Sequence, residues 1–143
     1  MAETPAPIAR LNELIRGINT AIITTVRPDG TLHSCPMAAR AADDNGVLWF
    51  LAHNNTEKVE AVRTSPRVNV AFTDIAANRF VSVSGYCELM RDHNLARQLW
   101  DPSYASWLPK GPEDLEVVLM KITVQQAQCW DGAAGRMTII VGR

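Results

Sequence analysis

The stretch AIITTVRPDGTLHSCPMAARAADDNGVLWFLA, residues 21–52, decides the fold class. It holds three β-rich segments and two breaks rich in turn-forming residues: segments 21–26, 31–39 and 47–52, with breaks at 27–30 and 43–46. Short β-rich runs joined by turns that contain Asp, Asn and Gly are typical of antiparallel hairpins. The stretch therefore predicts a three-stranded antiparallel meander.

The rest of the chain adds strands and short helices around this meander. Apolar alternation or β-rich composition predicts further strands at 68–72, 81–89, 116–124 and from 128 to 141, the last broken at 131–135. Helices are predicted from a Thr4 cap to a stop at Gly17, from Asn55 or Thr56 to Thr64, and from Asp92 to Trp100. Gly85, in the middle of a long strand, predicts a bulge or a close backbone approach. The pattern predicts a single, mainly β domain over residues 1–143: a six- to seven-stranded antiparallel barrel with short helices.

Composition excludes several classes of function. The 143 residues carry 14 Lys and Arg against 15 Asp and Glu, so the basic surplus of a nucleic-acid binder is missing. No apolar run approaches the roughly 20 residues of a membrane span, and the first ten residues lack the pattern of a secretion signal. The three cysteines, Cys35, Cys87 and Cys129, form no CxxC pair, so neither a metal site nor a disulfide framework is expected. These features favour a cytoplasmic protein with reduced thiols.

The segment WFLAHNNTEK, residues 49–58, is the strongest candidate for a ligand site. Neither a GxGxxG motif nor a Walker-type loop is present, so a phosphate has to be held by side chains and loop amides. Here a buried strand runs into a polar loop that opens a helix, and free amides at a helix start favour an anion. Lys58 stands in the first turn, where a cation opposes the helix dipole unless an anion docks beside it. The alternative interpretation is a solvated lysine beside Glu57 and Glu60.

Two further sets of residues leave their roles open. Trp130, at a strand end ahead of Arg136, is suited to stacking on a planar ligand or to a dimer contact, and also to plain packing. His33 and Cys35 share a face of a predicted strand, but a nucleophile pair or a metal site needs a third group that the sequence does not supply. They are interpreted as ordinary strand residues. The other three tryptophans, Trp49, Trp100 and Trp107, are expected to serve packing.

Three segments, TLHSCPMAA (31–39), FLAHNNTEKVEAV (50–62) and CWDGAAGR (129–136), carry a family resemblance. In this order and spacing they resemble the pyridoxamine 5′-phosphate oxidase-like FMN-binding split-barrel family, and within it the small general-stress-protein branch. The resemblance implies an FMN-binding split barrel that works as a homodimer, with FMN at the subunit interface. It implies flavin-dependent oxidoreductase activity, with NAD(P)H or another small molecule as redox partner.

The resemblance also implies a set of cofactor-binding residues: Ser34, Cys35, Pro36, Met37, Phe50, Leu51, Ala52, Thr56, Lys58, Trp130 and Arg136. Lys58 and Thr56 would contact the FMN phosphate, and Trp130 would come from the second subunit. No residue is indicated as a catalytic acid, base or nucleophile.

Several positions depart from the family pattern. Cys35 and Glu57 stand where relatives usually carry basic residues, which predicts weaker FMN binding. Thr138 and Ile140 replace the His and Arg of true oxidases, so pyridoxamine phosphate oxidation is not expected. Two alternatives follow from these departures: a non-enzymatic flavin-binding or stress-related protein with weak or lost cofactor binding, and a barrel that binds a deazaflavin or haem.

Overall fold

A computed structural model describes residues 4–142 and confirms the mainly β architecture. The helices are α1 (Ala6–Ile15), α2 (Glu57–Thr64) and α3 (His93–Leu99), with a 3₁₀ turn at Pro102–Ser106. The strands are β1 (Thr20–Val26), β2 (Leu32–Ala38), β3 (Val47–His53), β4 (Arg67–Asp74), β5 (Arg79–Met90), β6 (Val117–Asp131) and β7 (Arg136–Val141).

All seven strands of the described chain belong to one antiparallel sheet in the order β2-β1-β4-β5-β6-β3, with β7 also on β6. The long strand β6 pairs with β5 along one side, while β3 and β7 share its other side at 117–123 and 127–131. Within residues 4–142, β2 pairs with β1 alone and β3 with β6 alone. β2 and β3 end the strand order, and the barrel is split between them; β7 likewise pairs with β6 alone among the described residues.

The core of the barrel is made by side chains that alternate between the two faces of each strand. Each of four strands places a completely buried residue inside the barrel, and the neighbours of that residue along its strand are more exposed. The four are Ile23, Val70, Val83 and Ile122. Side chains that alternate in this way point to opposite faces of the sheet, so one face forms the core. Leu11 of α1 and Val59 of α2 are also fully buried in this core. Burial of their apolar surface holds both helices on the barrel.

Gly85 is the site of a bulge, as predicted. The β5–β6 register shifts between Ser84 and Gly85, and a Cβ built on Gly85 would lie 2.2 Å from the carbonyl oxygen of Thr123. No side chain fits at that distance, so glycine is required for the close approach of the two backbones. A bulge of this kind bends the strands that it joins, here the two longest strands of the sheet.

Two boundary predictions were wrong. The predicted gap between residues 124 and 128 does not exist: β6 runs unbroken from Val117 to Asp131. The break at 131–135 is instead the turn between β6 and β7. Thr4 does not cap α1: the N-cap residue is Pro5, and the Thr4 hydroxyl donates to Asp44. Asp92 caps α3 by accepting from the Leu95 amide, as expected.

In the described part of the chain, every helix is too short to cross a membrane.

Candidate functional site

A cleft opens between β2 and β3, where the strand order ends. The cleft is narrow in the single chain, with a volume of about 70 Å³. The lining residues come from β2, β3, the start of α2 and the segment after α3: Pro36, Met37, Ala38, Trp49, Phe50, Leu51, Ala52, His53, Thr56, Lys58, Tyr104, Trp107 and Leu108. The cleft therefore lies at the split of the barrel, where residues distant in sequence converge.

Aromatic and aliphatic side chains make most of the cleft wall. Trp49 and Leu51 alternate with the buried core residues of β3 and so stand on the outer face of this strand. The Trp49 indole N–H donates to Asp43 Oδ2 at 3.0 Å, which fixes the ring. Trp107, 43% exposed, stands at the opening. These flat, apolar surfaces suit a planar ring system.

Arg40 holds the segment that covers the cleft. It follows β2, and its Nη1 donates to the Leu99 carbonyl oxygen at 2.7 Å and to the Tyr104 Oη at 3.0 Å. The rings of Trp100 and Tyr104 meet edge to face with their centroids 5.8 Å apart. Arg40 therefore ties this segment to the end of β2, and Tyr104 is buried against the cleft.

The start of α2 provides an anion-binding end to the cleft. The N-cap Thr56 makes no side-chain bond to the helix amides in the described structure, and its hydroxyl donates instead to the His53 carbonyl oxygen at 2.8 Å. The first amides of a helix have no intrahelical partners, so they remain free to donate to a ligand. Lys58 is half-buried in the cleft, and among residues 4–142 it forms neither an ion pair nor a hydrogen bond. An unpaired cation beside free amides favours an anion.

Glu57, next to Lys58, points elsewhere. Its Oε1 accepts from Arg27 Nε at 2.6 Å, and its Oε2 lies 3.3 Å from His33 Nε2. The hydrogen bond with Arg27 lowers the pKa of Glu57 and raises that of Arg27. The carboxylate lies in a separate groove beside the β1–β2 turn, so it does not face the ligand site as its neighbouring position suggested.

His53 is the ionisable group at the junction of β3 and the loop. Its Nδ1 accepts from the Asn55 amide at 3.1 Å, which places the proton of a neutral ring on Nε2. That Nε2 lies 3.9 Å from Asp114 Oδ2. The described residues contain no cluster of three or more His, Cys, Asp or Glu that could hold a metal.

Seven of the eleven predicted site residues meet in the cleft: Pro36, Met37, Phe50, Leu51, Ala52, Thr56 and Lys58. The remaining four lie elsewhere in the chain. Ser34 is exposed and hydrogen-bonded to Thr24 at 2.6 Å, and Cys35 packs against the barrel core. Trp130 lines a second groove at the far end of β6, and Arg136 is exposed at the start of β7.

Six lining residues were not predicted: Ala38, Trp49, His53, Tyr104, Trp107 and Leu108. The period-two alternation of β3 was a usable signal for Trp49 and His53, because both share the face of Leu51. The segment of Tyr104, Trp107 and Leu108 has no periodicity from which its position could be read. Trp49 and Trp107, which were expected to serve packing, therefore also line the cleft.

An antiparallel barrel with a cleft at its split defines the class of the molecule, a split barrel. The model of the family described as "Pyridoxamine 5'-phosphate oxidase like" matches residues 6–142, and the chain belongs to this family. The resemblance drawn from the three sequence segments is thereby confirmed.

Individual relatives agree with this assignment. Protein bli-3 of Neurospora crassa is 27% identical over 99 residues, which are 62% of this chain and 47% of that protein, so the match spans less than half of its length. General Stress Protein 26 of Bacillus anthracis str. Sterne has the same fold, with a TM-score of 0.76, 24% identity and coverage of 92% of this chain and 97% of that one. An FMN binding, pyridoxamine 5'-phosphate oxidase-related protein of Nostoc punctiforme PCC 73102 aligns with a TM-score of 0.70 and 14% identity, over 97% of this chain and 89% of that one.

Proposed function

We propose that the chain binds FMN in the cleft at the barrel split and serves as a flavin-dependent oxidoreductase. One observation carries the proposal: the same cleft contains Lys58, a cation at a helix start without an ion-pair partner in residues 4–142, and apolar and aromatic walls. FMN has the matching halves, a phosphate and a planar ring system. The name of the similar Nostoc punctiforme protein, which includes FMN binding, supports the choice of this flavin.

The residues present fit FMN at both ends. Lys58 and the first amides of α2 would hold the phosphate, with the Thr56 hydroxyl beside them. Met37 and Leu51 would face the ring system, and Trp107 would shield it at the opening. These apolar walls exclude water from a bound ring, which strengthens the polar contacts at its edge.

The redox step belongs to the cofactor: FMN accepts and returns a hydride or single electrons. The chain holds the phosphate with Lys58 and keeps the ring in an apolar cleft. The oxidation of pyridoxamine phosphate is not proposed, because Thr138 and Ile140 offer neither an imidazole nor a guanidinium at the positions where true oxidases carry them.

A homodimer is the second part of the proposal, and the outer face of the sheet supports it. Two rows of side chains cross five strands without a charged residue: Ser34, Thr24, Asn69, Ser84 and Gln126, then Pro36, Ile22, Ala71, Ser82 and Gln128. The buried core of a protein–protein interface is depleted of charged residues compared with the rest of the surface. A second copy of the chain, with the same uncharged face, fits this surface.

The position of Trp130 agrees with such a dimer. It follows Gln128 by two residues on β6, so it stands on the same outer face as the uncharged rows. Trp130 is not a lining residue of its own chain's cleft in the described structure. A partner seated on this face would bring its own Trp130 toward the neighbouring cleft, as the family resemblance implies.

The cofactor is tested on the purified protein by absorbance and by fluorescence titration. We expect oxidised-flavin bands, or saturable quenching of added FMN fluorescence, with FMN identified after denaturation. Protein that neither carries nor quenches flavin contradicts the proposal, and bands of a deazaflavin or haem reassign the cleft. NAD(P)H oxidation with FMN present then distinguishes an enzyme from a flavin-binding protein without turnover.

The dimer is tested by placing a charge in the middle of the uncharged face. Ser82→Arg should convert the protein to a monomer in light scattering coupled to gel filtration, because an unpaired charge is costly to bury. Gln98→Arg, on the exposed surface of α3, is the matched control and should leave the mass unchanged. A wild-type monomer, or a dimeric Ser82→Arg variant, contradicts this interface.

A further inference from the structure

We propose that Glu57 is a positioning residue. Arg27 and His33 hold its carboxylate across the split between β2 and β3, the seam of the barrel, so that Lys58 faces the cleft. This inference rests on the proposed binding of FMN and concerns how the phosphate end of that site is built. It reverses the expectation that a carboxylate at position 57 weakens phosphate binding.

The three side chains belong to different sides of the split. His33 lies on the edge strand β2, Arg27 directly follows β1, and Glu57 is the first residue of α2, which continues from the edge strand β3. Oε1 accepts a hydrogen bond from Arg27, and Oε2 lies 3.3 Å from His33 Nε2. We call this set of three residues the seam clasp.

No backbone ladder joins β2 to β3 within the described residues, so side chains have to set the distance between these two edges. In residues 4–142, the polar side-chain contacts between the β1–β2 hairpin and α2 all go to Glu57. Arg40 connects the end of β2 to the segment after α3 on the other flank of the cleft. The seam clasp is therefore the polar link between the start of α2 and β2, added to the apolar packing of Val59.

The clasp also separates two opposite charges that are adjacent in sequence. Glu57 lies in the groove with Arg27, Pro28 and Asp29, while Lys58 lies in the cleft. Freed from Arg27, the carboxylate would remain beside the first turn of α2, where it would compete with a phosphate for the same amides. Holding the carboxylate in the groove leaves both the amides and Lys58 to the ligand.

The first test needs no cofactor. Hydrogen–deuterium exchange is measured on the whole protein for Glu57→Gln, Arg27→Gln and the control Glu60→Gln, with residues 56–60 as the reporting segment. Glu60 carries the same charge on the same helix, but its ion pair with Arg63, at 3.0 Å, stays within α2. We expect faster exchange in both clasp variants and not in the control. Unchanged exchange in either clasp variant overturns the inference.

The second test separates positioning from charge. The ratio of riboflavin to FMN dissociation constants isolates the contribution of the phosphate. A positioning role predicts that Glu57→Gln and Arg27→Gln both weaken FMN, by about two- to fivefold given the exposure of the pair, and leave riboflavin unchanged. A plain charge effect predicts opposite signs, with Glu57→Gln tightening FMN.

The outcomes are distinguishable from failure of the proposed function. If the wild-type protein binds no FMN, the proposed function fails, and the exchange experiment still decides whether the clasp fixes α2. If FMN binds, tighter or unchanged FMN binding by Glu57→Gln overturns the inference. Equal losses of FMN and riboflavin in the clasp variants also overturn it, because they indicate a general loss of structure.

Discussion

Replacement of Gly85 by alanine tests the geometry that bends the barrel. The added Cβ would meet Thr123 O at 2.2 Å and the Thr123 carbonyl carbon at 3.1 Å, and both are backbone atoms that cannot rotate away. Ordinary contact begins at 3.4 Å, so one strand has to move by about 1 Å. Such a shift strains the core and weakens neighbouring ladder bonds, at a cost of about 2–4 kcal/mol.

Urea unfolding of the wild type and the variant, followed by circular dichroism, measures this cost. A loss of that size corresponds to a fall in Tm of about 5–15 °C for a chain of this length. Gly132→Ala is the matched control, because its Cβ would meet the flexible Asn78 side chain at 3.3 Å and the backbone needs no positive φ. We expect the control to stay within about 0.5 kcal/mol of the wild type. A Gly85→Ala variant as stable as the control would refute the reasoning.

Two further predictions concern the cleft wall and the thiols. Trp107→Ala should weaken FMN by about fivefold through lost ring contact, measured by fluorescence titration, and an unchanged affinity would remove Trp107 from the site. Burial raises the pKa of the Cys87 thiol to about 12, so iodoacetamide at pH 8 should spare it while the more exposed Cys35 reacts. Because the folded pKa lies above the ordinary value of 9.0, the stability that Cys87 confers is present below pH 9 and is lost as the pH rises toward 12. Mass spectrometry that finds Cys87 alkylated as fast as Cys35 would contradict its burial.

The features that the sequence predicted are those set by local pattern. Alternation and turn residues predicted the strands, and the run from β3 into α2 brought Leu51, Thr56 and Lys58 into one cleft. A strand, a short polar loop and a helix start are contiguous, so these residues lie close together whatever the rest of the chain does. Gly85 was predictable for the same reason, since a glycine inside a β-rich run often marks a bulge or a close backbone approach.

The features that the sequence left hidden depend on contacts between distant segments. Trp107 reaches the cleft because Arg40 ties the segment after α3 to β2, a contact across 59 residues at Leu99. The direction of Glu57 is set by Arg27, 30 residues earlier, and no periodicity encodes that choice. The strand end of Trp130 was recognised correctly, but its distance from the cleft of its own chain becomes visible only once β6 is traced to its end.

The central claim is that the start of α2 binds the phosphate of a flavin. The most direct measurement compares FMN and riboflavin affinities of the wild type and Lys58→Ala by fluorescence titration. One charge-assisted bond is worth about 1.5–3 kcal/mol, so the variant should bind FMN roughly 10- to 150-fold more weakly. Riboflavin, which has no phosphate, should bind both proteins alike. An unchanged FMN affinity, or an equal loss for both ligands, would contradict the account.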